Sequence, residues 1–200
     1  MNSNSAFIII DIQNDFCPGG ALAVKEGDAV VPLINELQKH FALVVATKDW
    51  HPVGHSSFET LWPPHCVQGT AGAEFVAGFD TSRIARVFLK GTDMELDSYS
   101  GFFDNEHRRA TGLGDYLKER GVTDVTIAGL ATDYCVKYTA LDALMLGFKT
   151  TVVVDACRGV EVREGDTARA VEEMAAAGIH ITESRRLLDA QQASNSQQRA

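Results

Sequence analysis

Asp11, Asp49, His51, His65, Lys90 and Cys135 are the residues of this 200-residue chain whose types can do chemistry together. A thiol attacks as the thiolate, so Cys135 would need a base to take its proton and donors to hold the charge that builds on its target. Asp11 follows the apolar run Phe7-Ile8-Ile9-Ile10, and burial at that rim would raise its pKa and suit it to accept a proton. Lys90 follows Val87-Phe88-Leu89 and brings a cation able to hold a carboxylate and a thiolate in register. Asp49 and His51, joined by His65, make a donor set that leaves open positions on Zn, Mn or Fe(II). His65 arrives across a Pro-rich loop, so spacing alone does not bring it to the other two. Phe16, Trp62, Tyr99 and Tyr134 lie next to these segments and would wall a flat heteroaromatic ligand.

These residues need elements to position them. Ala6–Ile12, Leu43–Thr47, Ala85–Leu89, Val125–Gly129, Thr151–Asp155 and Ile179–Thr182 read as strands, rich in Val and Ile and apolar on both faces. Helical periodicity occupies Asp28–Phe41, Gly114–Arg120, Asp133–Leu146 and Glu164–Ala177, with Gly121, Gly147 and Gly178 set as C-caps. The alternation predicts a single α/β domain: a doubly wound, mostly parallel six-stranded sheet with helices on both faces. In such a sheet ligands bind outside the carboxyl ends of the strands. Asp11, Asp49, His51, Lys90 and Cys135 all fall there, on four separate segments. Asp155 also ends an expected strand and is a second candidate for the acid. Thr132 or Asp133 is the expected N-cap of the helix carrying Cys135, where the dipole and free N–H groups would lower the thiol pKa.

Composition narrows the partners. A formal charge of −9 with no cluster of Lys and Arg argues against nucleic acid. No apolar stretch approaches the roughly 20 residues that span a bilayer, so no membrane partner is expected. Met1 to Ser5 is short and polar, unlike a signal peptide. The cysteines, Cys17, Cys66, Cys135 and Cys157, form no CxxC pair, which points to a reducing cytoplasm. The domain is expected over residues 1–188, and the polar low-complexity stretch 189–200 reads as a disordered tail.

Taken together, the segments DIQNDF (11–16), KDWHP (48–52), WPPHCVQGT (62–70), KGTD (90–93), DSYSGFFDN (97–105) and GLATDYCV (129–136) resemble the isochorismatase-like cysteine hydrolases. DWHP, WPPHC and YSGFF mark the nicotinamidase branch. The resemblance runs from Asp11 to about Ser184 and implies a Rossmann-like three-layer sandwich. By motif, it implies a catalytic triad of Asp11, Lys90 and Cys135, and metal ligands Asp49, His51 and His65. The fourth ligand varies in the family, and Glu59 or His55 would serve here. The implied oxyanion hole is the backbone N–H of Ala131 and Cys135, with a cis peptide at Leu130–Ala131. The implied aromatic pocket is Phe16, Trp62, Tyr99 and Tyr134. The implied activity is hydrolysis of nicotinamide, and of pyrazinamide, to the acid and ammonia through a cysteine thioester. The implied cofactor is one divalent metal ion, zinc first, with iron or manganese as alternatives. The resemblance leaves monomer and homo-oligomer both open.

Overall fold

The computed structural model describes residues 4–189. Strand β1 (Ser5–Ile10) is a run of apolar, largely β-branched residues buried almost throughout, and it takes the centre of a six-stranded sheet. The others are β2 (Leu43–Asp49), β3 (Arg86–Lys90), β4 (Asp124–Leu130), β5 (Lys149–Arg158) and β6 (His180–Thr182). Their order is β3-β2-β1-β4-β5-β6, and every pairing is parallel. The order reverses between β1 and β4, the switch point where a crevice opens at the strand ends. β4 is buried nearly as fully as β1, as a sheet covered on both faces requires.

Among the described residues, the cover and connections come from α1 (Val31–Leu37), α2 (Ser57–Thr60), α3 (Leu113–Lys118), α4 (Lys137–Met145) and α5 (Asp166–Ala177). The helix expected over Asp28–Phe41 is shorter. Gly27–Val30 forms a 3₁₀ turn and α1 begins with Pro32 in its first turn, where the missing N–H has no partner to lose. At the end of α5, Gly178 takes φ 102 and donates its N–H to Ala175 O, closing the helix as a left-handed cap.

Two strand ends differ from expectation in ways that matter for the site. β1 stops at Ile10 because Asp11 adopts φ 49 and leaves the ladder. β5 runs on to Arg158, past a register shift against β4 between Ile127 and Gly129. Asp155 is therefore a mid-strand residue. Its carboxylate accepts the Ser184 N–H (2.8 Å) and hydroxyl (2.6 Å), leaving it no part in the acid chemistry. Ser184 opens a helical stretch over 184–189. Beyond Asp189, the polar tail expected from sequence lies outside the described residues. Among those residues, no helix is long and apolar enough to cross a membrane.

Candidate active site

The parallel ladder between β2 and β3 sets Asp49 directly opposite Lys90. Lys90 is 2% exposed and its amine meets four groups. It contacts Asp49 Oδ1, lies 2.9 Å from Asp11 Oδ2, and donates to Ser98 O (2.9 Å) and Cys135 Sγ (3.4 Å). Burial alone would push the amine toward neutrality, but Asp11, Asp49 and Cys135 outweigh it and hold the pKa well above the ordinary lysine value. Asp11 is fully buried. Its carboxyl is raised to about 6, with burial as the largest cause, against Lys90 and a 2.6 Å hydrogen bond from the Thr47 hydroxyl. That value lets the group give and take a proton near neutral pH.

Cys135 lies one turn before α4, in a π-helical turn over Thr132–Val136. The expected thiol environment is overturned. Burial, followed by the charges of Asp11 and Asp49, outweighs Lys90 and holds the thiol well above its ordinary range. It rests as S–H and needs a base. The expected side-chain cap is absent too: Ala131 starts the turn, and the Asp133 carboxylate accepts the N–H groups of Val160 and Glu161 (both 2.8 Å). The Leu130–Ala131 peptide is cis, as the resemblance implied. The N–H groups of Tyr134 and Val136, on either side of Cys135, both donate to Ala131 O (3.1 and 3.0 Å).

Beside this triad, Asp49, His51 and His65 converge, with one donor atom from each within 4.8 Å of the others. His51 Nδ1 is 2.9 Å from Gly91 O and His65 Nδ1 is 2.8 Å from Pro63 O. A carbonyl only accepts, so each Nδ1 carries the proton and each Nε2 keeps a lone pair. Both Nε2 atoms turn toward Asp49 Oδ2, at 3.6 and 3.9 Å. Two imidazole lone pairs and a carboxylate oxygen, all buried, fit a divalent cation. Glu59, named above as a fourth ligand, belongs to no such group among the described residues. Phe58 turns its ring onto His51, His55 and His65, which leaves the adjacent Glu59 side chain exposed to solvent. The neighbour that does reach His51 is His55, its ring 4.3 Å away and its Nδ1 2.8 Å from Ser57 Oγ.

Phe16, Trp62, Tyr99 and Tyr134 come together around a cavity of about 360 Å³, counting its open mouth, with Cys135 and Ala131 in its wall. Trp62 Nε1 donates to Tyr99 OH (3.2 Å), and the Tyr134 ring meets the edges of both. Asp97, Leu22 and Val160 complete the lining and were not singled out from the sequence.

Supporting residues were missed as well. The Gln13 carboxamide accepts the Asp49 N–H and donates to Asp49 O (both 2.8 Å), standing in for a strand neighbour beyond the end of β1. Asp15 accepts the Cys66 N–H (2.7 Å), holding the residue after His65 at φ 45. Gly91, at φ 61, leaves room for His51: a Cβ there would sit 2.4 Å from the ring. The available signal was DIQNDF itself, whose amide and second acid had no assigned task. Cys66 is buried and joins no donor group among the described residues.

Residues 5–186 match the family described as Isochorismatase domain. The chain is 45% identical over 198 residues to the nicotinamidase of Escherichia coli, covering 88% of this chain and 93% of that one. The crystal structure of PnC1 from L. infantum in complex with nicotinate superposes with a TM-score of 0.88 at 40% identity, covering 92% and 96%. The pyrazinamidase of Pyrococcus horikoshii in complex with zinc superposes at 0.80 with 43% identity, covering 90% and 99%.

Proposed function

This chain belongs to the isochorismatase family, and from that premise we propose that it works as a nicotinamidase: a metal-dependent cysteine amidohydrolase that cleaves nicotinamide, and pyrazinamide, to the acid and ammonia. The observation that carries the reading is the buried Lys90 amine, 2.9 Å from Asp11 and 3.4 Å from Cys135, whose thiol lines a cavity walled by Trp62, Tyr99 and Tyr134. The nicotinamidase of E. coli and the nicotinate complex from L. infantum support the choice of substrate.

In this reading Asp11, ionised above about pH 6, takes the Cys135 proton as sulfur bonds to the carboxamide carbon. The carbonyl π electrons move to oxygen, and the N–H groups of Ala131 and Cys135 donate hydrogen bonds to the oxyanion. Collapse of the tetrahedral species breaks the C–N bond, and Asp11 returns its proton to the leaving nitrogen, releasing ammonia. Water then adds to the thioester with Asp11 again as base, and the acid departs as Cys135 regains its proton. Lys90 stays charged throughout and holds Asp11 and the thiolate in register. Phe16, Trp62, Tyr99 and Tyr134 fix the ring plane, so the amide arrives oriented. Asp49, His51 and His65 would hold the metal ion, which when bound supplies a Lewis-acid anchor for the ring nitrogen. Zinc is the first candidate, supported by the donor set and the zinc-bound relative from P. horikoshii, with iron and manganese as alternatives. Nicotinate made this way enters NAD salvage. The free thiols suit a reducing cytoplasm.

The test is ammonia release from nicotinamide and pyrazinamide by metal-loaded protein, with and without a chelator. Release that stops on chelation supports the proposal; loaded protein that releases none overturns it.

A further inference from the structure

We propose that Asp97 is a specificity residue that turns away the carboxylate product and keeps the cavity for the uncharged amide, an inference that rests on the activity proposed above. Amide and acid share one ring and differ chiefly in charge, so shape alone separates them poorly. Sites built to hold a carboxylate present arginine or lysine to it. Among the described residues lining this cavity there is neither, but there are two carboxylates, Asp49 and Asp97.

The two acids are placed differently. Asp49 is committed to Lys90, His51 and His65. Lys90, the lysine in contact with Cys135 on the cavity wall, is buried between Asp49 and Asp11 and so has its charge matched twice. Asp97 is half-buried, and its Oδ1 accepts only the N–H of the next residue, Ser98 (2.7 Å). One of its oxygens lies within 4.8 Å of ligand atoms of His51 and His55, which puts its charge at the rim where the ring-binding wall meets the histidines. A cation held by Asp49, His51 and His65 would draw in an acid, and the Asp97 charge beside His51 offsets that pull; an amide has no net charge for either to act on. Like charges roughly 12 Å apart at an effective dielectric of about 20 lose about a factor of ten in affinity.

Asp97→Asn isolates the charge, since the amide oxygen can still accept the Ser98 N–H. The experiment measures nicotinate binding to the metal-loaded protein by calorimetry, beside KM for nicotinamide from ammonia release. Asp97→Asn is expected to tighten nicotinate binding about tenfold relative to any change in KM for nicotinamide, while Asp97→Glu stays with the parent. Nicotinate affinity in Asp97→Asn that is unchanged or weaker relative to KM overturns the proposal. So does an equal shift for acid and amide, or Asp97→Glu behaving like Asp97→Asn. Parent protein that releases no ammonia defeats the proposed activity instead, and is distinguishable because it needs no variant.

Discussion

The site has two halves, and they are held in different ways. The thiol half, Asp11, Lys90 and Cys135, hangs from strand ends and one helix start, so the sheet itself fixes its spacing. The metal-type half needs more help. Gln13 pins the Asp49 backbone at the end of β2, but His51 and His65 lie on the irregular chain between β2 and β3 and are steered by backbone carbonyls, by Asp15 and by the bare Cα of Gly91. A sheet register positions residues without dedicated side chains, whereas a loop does so only when each turn has its own hydrogen-bond partner. Lys90 joins the two, touching Asp11 and Cys135 on one side and Asp49 on the other.

The comparison can be broken at each half. Cys135→Ala should cost on the order of 10⁴-fold or more in turnover while leaving metal content unchanged; ammonia release and metal analysis read both, and retained turnover would remove the covalent step. Lys90→Met should damage both halves. It strands two buried carboxylates, so unfolding by urea should show a loss of about 3–5 kcal/mol together with lost activity. Gly91→Ala should disturb the metal half alone, because the new Cβ meets the His51 ring. Metal affinity should fall about 10–100-fold, while the rate of Cys135 alkylation stays within a factor of about two. The smallest effect is graded. Asp11 must be ionised to accept the thiol proton, so kcat/KM should fall as pH drops through about 6, by about tenfold per pH unit below it. A profile flat down to pH 5 would assign the base elsewhere.

The strand ends were the legible part. Apolar runs of Val and Ile ending in Asp11, Asp49 or Lys90 carry their own signature, because a strand buried on both faces must be apolar until it reaches the rim. The mostly parallel sheet followed from the alternation of such runs with helical stretches, and the structure makes every pairing parallel. Less legible was anything that depends on where a side chain turns. Glu59 and His55 are equally good ligands on paper, and only the packing of Phe58 against the histidines separates them. Asp155 looked like an acid at the active edge because β5 was expected to stop there.

By itself, the sequence determined the sheet, the edge at which the chemistry gathers, and the types of group delivered to it, since hydrophobic periodicity and residue identity are local properties. Tertiary structure decided the protonation of Cys135. The first turn of a helix lowers a thiol pKa, but burial beside Asp11 and Asp49 raises it more, and those neighbours come from segments more than 80 residues away in the chain. Charge and desolvation act through space. The chain order that places a cysteine at a helix start cannot say which carboxylates will stand beside it.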